Sequence, residues 1–428
     1  MTYNKKGLLA LSPLLLFIAI YLVTAIVAGD FYKVPISVAF MLSCIYAVCI
    51  SAPSCGLKKT IDNFSRGASA PNIMLMLWIF ILAGAFASAA KAIGAVDSTV
   101  NLMLSVLPDN MVLPGLFIAT CFISLSIGTS VGTIVALVPI AAGLAHTTGM
   151  STALMTAVVV GGAFFGDNLS FISDTTIAAT SSQGCSMRDK FRVNFFITLP
   201  AAIIVLAIYT FLGIGFQPET NPHGADLIKV IPYFAVLATA IAGMNVLIVL
   251  AIGIGLTGTI GMISGSTDLF GWFHAMGDGI MSMGELIIVT MLAGGMFEIV
   301  KSKGGIDFII DKISSHIHAK RGGEAVIGLL VAAVDVCTAN NTIAIISVGN
   351  IARQISEKYG IDKRKAASLL DTCSCCVQGI IPYGAQMLMA SGLAKINPIE
   401  ITPYLYYPFV LIVCVAVAIV FRLPRRYS

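Results

Sequence analysis

The stretch Gly161–Thr176, "GGAFFGDNLSFISDTT", is the most informative part of the chain because an apolar helix changes abruptly into polar chain inside it. Two aspartates, Asp167 and Asp174, stand there among amide and hydroxyl side chains. Within a membrane, such clusters indicate unwound backbone, which is tolerated only where it lines a cavity or is buried in protein. The stretch therefore predicts a broken helix, and the rest of the chain tells whether a membrane surrounds it.

The composition is that of a membrane protein. Of the 428 residues, 57% are hydrophobic and only 11% charged, and the mean hydropathy is +0.94. Apolar runs of about 20 residues, long enough for the hydrocarbon core, recur along the chain. Examples are Leu8–Gly29, Pro71–Ala90, Val193–Gly215 and Pro403–Phe421. We predict an all-α polytopic membrane protein in the cytoplasmic membrane of a prokaryote, with the first run kept as a span because it exceeds a signal-peptide core.

The basic residues predict the orientation. When the N-terminus is placed in the cytoplasm, all 25 Lys and Arg residues fall inside except Lys33, Lys91, Lys229 and Lys395. Cytoplasmic loops of membrane proteins carry such an excess of positive charge. Both termini and the loops around residues 58, 190, 312 and 363 are therefore predicted to be cytoplasmic.

The chain also contains a weak internal repeat. A shift of about 210 residues aligns "LAGAFASAAKAIGAVD" at Leu82–Asp97 with "LAGGMFEIVKSKGGID" at Leu292–Asp307. Each half crosses the membrane an odd number of times in this threading, which predicts inverted-topology repeats of the kind found in secondary transporters. The predicted boundaries are residues 1–216 for the first repeat, 217–228 for an extracytoplasmic linker and 229–428 for the second repeat.

Polar interruptions fall at matching places in the two halves. Ser124–Thr133 and the opening stretch interrupt the first half, whereas Asp335–Thr342 and Asp371–Gln386 interrupt the second. Paired interruptions in paired halves indicate a binding site between the repeats near the membrane midplane. Whether the first break of each half separates two full spans or forms the tip of a re-entrant hairpin stays open.

Six acidic residues lie within the predicted spans: Asp167, Asp174, Glu285, Glu298, Asp335 and Asp371. Intramembrane acids are functional candidates because burying a carboxylate in a bilayer is costly. Every Lys and Arg is assigned to a loop or a span end, so we expect protons, a bound cation or helix N-termini to stabilise these acids. The two glutamates are weaker candidates because they lie near span ends, where water reaches them.

The opening stretch offers oxygen ligands that suit a small hard cation. They come from Asp167, Asn168, Ser170, Ser173, Asp174, Thr175 and Thr176. A site that holds a cation when ionised and a proton when neutral exchanges one for the other, and Asp167 and Asp174 are the predicted ligands of a monovalent cation. The alternative is that either aspartate only caps a half-helix by accepting hydrogen bonds from backbone amides.

Two motifs resemble signatures of the NhaC-type sodium/proton antiporters of the ion-transporter superfamily. "GTSVGT" at Gly128–Thr133 is similar to GTSWGT, and the opening stretch is similar to GxxFGDxxSPLSDTT. This chain departs from the pattern at Val131 and at Phe171-Ile172. The resemblance implies inverted repeats, broken helices and proton-coupled exchange of sodium or, in some members, of organic acids or amino acids. It also implies functional roles for Thr129, Ser130, Thr133, Asp167, Ser170, Ser173, Asp174, Thr175 and Thr176.

The predicted function is exchange of a monovalent cation, Na⁺ above others, for protons. The alternative is a cation- or proton-coupled carrier of a small organic acid or amino acid, for which the neutral amides of "ANNT" and "QGIIPYGAQ" supply hydrogen bonds. A channel is disfavoured by the lack of a repeated filter-like loop, and an enzyme by the lack of HExxH or a nucleophile beside a membrane-depth histidine. The ten cysteines resemble helix-packing residues.

The predicted partners are Na⁺, H⁺ and the lipid bilayer, with no cofactor and no nucleic acid; a homodimer is one open alternative for the oligomeric state. The full predicted cation/proton site comprises Asp167, Asp174, Asn168, Ser170, Ser173, Thr175, Thr129, Ser130, Thr133, Asn340, Asn341, Asp335 and Asp371. Within it, we expect Asp174 to bind cation and proton competitively with Asp167 nearby, because two unpaired and partly desolvated acids favour uptake of a proton.

Overall fold

The computed structural model describes residues 3–28, 35–106, 108–171, 173–214, 226–314 and 319–427, and within these ranges the chain forms helices and no strand. The first helices are α1 (Tyr3–Ala28), α2 (Ile36–Cys55), α3 (Leu57–Ala68), α4 (Pro71–Ala92), α5 (Ala95–Val106), α6 (Val112–Ile127), α7 (Ser130–Thr148), α8 (Thr152–Leu169), α9 (Asp174–Gln183) and α10 (Met187–Gly213). They are followed by α11 (Leu227–Ile241), α12 (Val246–Ile263), α13 (Leu269–Ser282), α14 (Gly284–Ser302), α15 (Gly305–Ser314), α16 (Lys320–Thr338), α17 (Asn341–Tyr359), α18 (Lys363–Gln378), α19 (Ala385–Ala394), α20 (Pro398–Ile401) and α21 (Tyr406–Val420).

The apolar helices match the predicted membrane class. Seven segments of the described chain are long and apolar enough to cross a membrane, or eight if the bent pair Pro398–Tyr404 and Tyr406–Val420 is one span. One of the seven, Thr152–Gln183, contains the opening stretch and divides into α8 and α9. The predicted fold class, an all-helical polytopic membrane protein with discontinuous helices, is therefore confirmed.

The helices break where the sequence places polar interruptions. The breaks are 128–129 between α6 and α7, 170–173 between α8 and α9, 339–340 between α16 and α17, and 379–384 between α18 and α19. Gly128 ends α6 in the left-handed region, with φ 77°, which glycine adopts without strain. Ala339 takes the same position in the second half with φ 50°, where its Cβ is crowded.

The broken helices of the two halves correspond in position along the chain. A spacing of 211 residues separates the starts of α7 and α17, of α8 and α18, and of α9 and α19. The same spacing relates the residues of positive φ that follow these helices, namely Gly128 and Ala339, Gly149 and Gly360, and Gly184 and Lys395. The repeated order of helices is thus visible in the structure, whereas the inverted orientation of the halves stays a prediction.

Helices of the first half interlock with helices of the second. Helix α7 packs against α19 and α9 packs against α17, while α3 packs on α14 and α13 on α4. The last two crossings are close because glycines face each other: a Cβ added to Gly67 would lie 2.4 Å from Gly294 O, and one added to Gly84 would lie 2.3 Å from Gly279 O. The predicted boundaries at 216 and 228 stay predictions, and residues 215–225 of the linker region lie outside the described ranges.

Helix α18 begins at a charged cap. The carboxylate of Asp362 accepts a hydrogen bond from the Arg364 amide at 2.8 Å, and it also accepts hydrogen bonds from the Arg364 guanidinium at 2.9 and 2.6 Å. Partial burial raises the pKa of Asp362, but these hydrogen bonds outweigh the burial and hold its pKa below the ordinary value. Asp362 therefore remains ionised at neutral pH, and it fixes the start of the helix that carries Asp371.

Candidate functional site

The first two breaks meet at Asp167. The Ser130 amide, the first of helix α7, donates a hydrogen bond to Asp167 Oδ1 at 3.0 Å, and both residues are buried. Helix N-termini leave amides without intrahelical partners and carry partial positive charge, so a carboxylate is stabilised there. Close packing of α6 on α8 maintains this contact, because Gly166 lies against Ser124. The hydroxyl of Ser124 also donates to Ala163 O at 2.7 Å.

Two glutamines join this position to the second half. The Gln386 amide group donates to the hydroxyl of Ser130 at 3.1 Å. The Gln378 amide group donates to Gln386 Oε1 at 2.8 Å and to Ala339 O, in the break between α16 and α17, at 3.0 Å. Since Gln386 lies in the first turn of α19 and Gln378 is the last residue of α18, these hydrogen bonds connect three of the four breaks.

At the fourth break, between α8 and α9, lies an ion pair that was not expected from the sequence. Lys190 Nζ lies 2.7 Å from Asp371 Oδ2, and both side chains are almost completely buried. Lys190 also donates to Asn168 O at 2.9 Å, and Asn194 donates to Asn168 O at 2.7 Å and to Asp371 Oδ2 at 2.8 Å. The expectation that no basic residue accompanies the buried acids is wrong, because the long lysine stem carries the ammonium from the start of α10 into the break after α8.

We call these residues the polar junction; they form two hydrogen-bonded groups that adjoin at the sequence neighbours Asp167 and Asn168. It comprises Ser130, Asp167, Asn168, Lys190, Asn194, Asp371, Gln378 and Gln386. It joins α7, α8, α10, α18 and α19, so helices of both halves contribute to one buried polar region. Its geometry agrees with a binding site between the two halves.

Two predicted acids differ sharply in environment. Asp335 is completely buried, and within the described residues neither of its carboxylate oxygens has a hydrogen-bond partner. Asp174 begins α9 and is exposed, in an open cleft of about 550 Å³ that it lines together with Thr342 and Asn350 of α17. Asp174 is therefore exposed to the cleft while Asp167 is buried, because the break after α8 places the two side chains in different surroundings, and competitive binding of cation and proton at Asp174 stays a prediction.

The remaining predicted residues mostly satisfy neighbouring groups. The hydroxyls of Ser173 and Thr175 lie 2.7 Å apart, the Thr176 hydroxyl donates to Ser170 O at 2.9 Å, and the Thr133 hydroxyl donates to Thr129 O at 3.0 Å. Asn340 caps α17 by accepting from the Ile343 amide at 3.0 Å, and the Asn341 amide group donates to Cys375 Sγ at 3.9 Å. Glu285 is exposed and accepts a hydrogen bond from the Ser37 hydroxyl at 3.0 Å. These contacts hold the unwound segments in place.

Several residues of the junction were missed from the sequence. Lys190 and Asn194 were not identified at all, and Gln378 and Gln386 were assigned only to the alternative function of a solute carrier. Outside the junction, Tyr407 was also missed; its hydroxyl accepts a hydrogen bond from Asn168 at 3.2 Å. One local signal existed: Lys190 and Asn194 are four residues apart, so they lie on the same face of α10 at the beginning of an apolar run. The two glutamines lie in segments that were identified as interruptions, but no sequence periodicity distinguishes them from the neighbouring polar residues.

Buried charge at the junction is predominantly negative. Six charged side chains are buried among the described residues, namely Asp167, Lys190, Glu324, Asp335, Lys365 and Asp371. Glu324 and Lys365 lie near the starts of α16 and α18, away from the breaks. Three carboxylates and one ammonium therefore remain near the junction. Because an uncompensated buried charge is strongly unfavourable, the surplus carboxylates require bound cations or protons.

Broken helices that meet at a buried polar region, within a bundle of apolar helices, define an integral multi-pass membrane transporter. The sequence model of the Na⁺/H⁺ antiporter family matches residues 7–214 and 224–423, and the chain belongs to this family. The resemblance to NhaC-type antiporters is thereby confirmed.

Individual relatives are distant. The chain is 22% identical over 299 residues to the Na⁺/H⁺ antiporter NhaC of Alkalihalophilus pseudofirmus, covering 62% of this chain and 64% of that protein. It is 24% identical over 396 residues to the NhaC of Bacillus subtilis, covering 82% of this chain and 84% of that protein. It is also 22% identical to the arginine/ornithine antiporter ArcD of Halobacterium salinarum, covering 83% of this chain and 80% of that protein. The family match and the two NhaC relatives support cation/proton exchange, whereas the ArcD relative shows that related antiporters carry other substrates.

Proposed function

We propose that this protein is a secondary transporter, and not an enzyme, that exchanges Na⁺ for protons across the cytoplasmic membrane. The observation that carries the proposal is the excess of buried carboxylates over buried ammonium groups at the polar junction. Carboxylate, carbonyl and hydroxyl oxygens are the ligands that hard cations prefer. A carboxylate without a permanent partner accepts either a proton or a cation, and this alternation is what an exchanger requires.

Asp167 and Asp371 are the carboxylates we assign to this exchange. Each has one oxygen held by the protein, Asp167 by the Ser130 amide and Asp371 by Lys190 and Asn194. Asp371 Oδ1 has no hydrogen-bond partner among the described residues, so it is available to a ligand. Asp335, buried without a partner, is the third candidate for protonation.

The test is a cation-evoked pH change in proteoliposomes that contain a trapped pH-sensitive dye. Addition of Na⁺ should move protons outward through wild-type protein, and Li⁺ and K⁺ should be compared at the same concentration. Asp371→Asn should abolish the signal, whereas Asp62→Asn, which alters an exposed acid of α3, should leave it unchanged. Absence of any cation-evoked signal with correctly inserted wild-type protein would reject the proposal.

A carrier of an amino acid or organic acid is the second candidate. It is favoured by the amide groups of Gln378, Gln386 and Asn341, which supply neutral hydrogen bonds beside the half-helix N-termini. The name of the ArcD relative describes it as an antiporter of arginine and ornithine. A panel of amino acids and dicarboxylates in the same liposomes separates the candidates, because only a carrier would respond to a solute in the absence of a Na⁺ gradient.

We also propose that both termini face the cytoplasm, on the basis of the basic residues described above. Single cysteines at positions 312 and 363, in a cysteine-free background, should react with a membrane-impermeant maleimide only from the inside. A cysteine at position 395 should react from the outside, and the reverse pattern would refute the orientation.

A further inference from the structure

Helix α3 lies at the membrane surface, because it connects the ends of two apolar spans. The candidate span of α2 ends at Cys55, and the next one begins at Ile73, in α4. Between α2 and α4 stand Gly56, the 12 residues of α3 and a short link at residues 69–70. Twelve helical residues extend only about 18 Å, which is too short to cross the hydrocarbon core. Both spans therefore end at the same face of the bilayer, and α3 lies close to the lipid headgroups there.

One side of α3 is fixed to the rest of the protein. Besides the glycine crossing described above, Phe64 packs against Gly295 of α14, where an added Cβ would lie 2.5 Å from the phenyl ring. Lys303, the residue that follows α14, donates a hydrogen bond to Ser51 O at 3.1 Å and so joins the ends of α14 and α2. These contacts determine which side of α3 remains exposed.

The exposed part of α3 combines an apolar edge with a basic one. Leu57 and Ile61, four residues apart and therefore on one side of the helix, are 57% and 47% exposed. The other exposed charged residues of α3 are more often basic than acidic, namely Lys58, Lys59, Arg66 and Asp62. This pattern is typical of a helix that lies in the membrane interface, with apolar side chains towards the acyl chains and basic side chains among the headgroups.

The end of α14 enlarges the basic edge. Helix α14 packs on α3, and its end carries two further lysines, one exposed and one partly exposed. We call the resulting set the basic surface; it comprises Lys58, Lys59, Arg66, Lys301 and Lys303. Within the described residues none of the five forms an ion pair with a carboxylate, although Asp62 and Glu298 lie on the same two helices. The basic surface therefore keeps a net positive charge towards the headgroups.

The counterpart of α3 in the second half lacks these basic residues. Helix α13 begins 212 residues after α3, and it packs on α4 as α3 packs on α14, so both helices have the same place in their halves. Helix α13 contains no lysine or arginine, and its exposed side chains include Phe270 and Phe273. Since the same packing forms with and without basic residues, those of α3 are not required for packing and are available to a ligand.

We propose that the basic surface binds the headgroups of anionic phospholipids in the cytoplasmic leaflet. This binding is separate from ion exchange, and it uses the orientation proposed above, which places α3 on the cytoplasmic side. That leaflet attracts clusters of basic residues beside a membrane span, by about fivefold in affinity for each residue. Leu57 and Ile61 favour a lipid over a soluble phosphate, because they contact acyl chains while the basic residues contact headgroups.

The experiment measures the unfolding temperature of the purified protein in a neutral detergent, with phosphatidylglycerol or phosphatidylcholine added at equal mole fractions. A lipid that binds only the folded protein raises this temperature. The anionic phosphatidylglycerol should raise it more than the zwitterionic phosphatidylcholine. The difference should shrink as the salt concentration rises from about 0.01 M to about 1 M, because the Debye length falls from about 30 Å to about 3 Å. Glycerol phosphate, which has the charge but no acyl chain, should have no effect at the same concentration.

One variant removes the charge of α3 by combining Lys58→Gln, Lys59→Gln and Arg66→Gln. It should unfold at the wild-type temperature without lipid, and it should need at least about tenfold more phosphatidylglycerol for half of the maximal rise. Lys58→Arg with Lys59→Arg keeps the charge and should keep the wild-type response. The matched control removes three exposed basic residues elsewhere on the same predicted face by combining Arg321→Gln, Lys358→Gln and Arg425→Gln. It too should keep the wild-type response.

A wild-type response in the glutamine variant of α3 would overturn the inference. An equal loss of response in the matched control would also overturn it, because the response would then reflect the total surface charge. Equal stabilisation by the two lipids, or by glycerol phosphate, would exclude the anionic lipid headgroup as the ligand. The proposed function has a separate readout, because it fails only if the wild-type protein shows no cation-evoked pH change.

Discussion

The different environments of Asp167 and Asp174 allow a quantitative prediction about which carboxylate matters more. Asp167→Asn keeps the size of the side chain and an oxygen that accepts from the Ser130 amide, so the packing of α7 on α8 should survive. The change removes one negative charge from a position that is only 4% exposed. Asp174→Asn removes the same charge from an exposed position in an open cleft.

The dielectric environment sets the size of each effect. A cation about 4 Å from a carboxylate gains about 4 kcal/mol at an effective dielectric constant near 20, which corresponds to roughly a thousandfold in affinity. We expect water to fill the open cleft that Asp174 lines, where it reduces the same attraction to about fivefold in affinity or less. We therefore expect Asp167→Asn to weaken apparent Na⁺ affinity by about a thousandfold and Asp174→Asn by less than about fivefold.

The assay is the Na⁺ concentration that gives half-maximal recovery of a pH-gradient dye in everted membrane vesicles, at equal protein abundance. Asp62→Asn provides the control for the loss of an exposed carboxylate outside the junction. The reasoning fails if Asp174→Asn impairs exchange as strongly as Asp167→Asn. In that case exposure in this structure does not measure the contribution of a carboxylate to cation binding.

Three further predictions concern stability. A Cβ on Gly166 would lie 2.2 Å from the Ser124 side chain, so Gly166→Ala should lower the free energy of unfolding by about 1–3 kcal/mol. The control is Gly255→Ala, whose Cβ meets nothing within 4 Å, and this variant should raise the unfolding temperature. Ala339→Gly should relieve backbone strain at φ 50° and stabilise the protein by up to about 1 kcal/mol, measured by thermal unfolding in detergent; a lower unfolding temperature would contradict this. Asp362→Asn keeps the helix cap but loses the charge. The variant should unfold at a lower temperature than the wild type above about pH 4, and this difference should disappear as pH falls through the lowered pKa of Asp362. A difference that does not change with pH would contradict that assignment.

The helical membrane class and the positions of the breaks could be predicted from the sequence alone. Hydropathy over about 20 residues reflects the thickness of the bilayer, and each half-helix must satisfy its own backbone locally, so both features are written in short segments. The paired interruptions predicted that "GTSVGT" and the opening stretch share one site, and the structure shows a contact between them, the hydrogen bond from the Ser130 amide to Asp167. The spacing of about 210 residues seen in the sequence reappears as the repeated positions of helix starts.

Which charged side chains are buried together and which are exposed depends on tertiary packing. Asn194 and Asp371 are 177 residues apart in the chain, yet the Asn194 amide group donates a hydrogen bond to Asp371 Oδ2, because α10 packs against α18. No local pattern specifies such a pairing, and the rule that assigns lysines to loops describes where the backbone lies. A lysine side chain is long enough to begin at the end of a helix and place its ammonium inside the protein. Asp167 and Asp174 are close in sequence but lie on opposite sides of one helix break. Tertiary packing buries Asp167 and leaves Asp174 exposed.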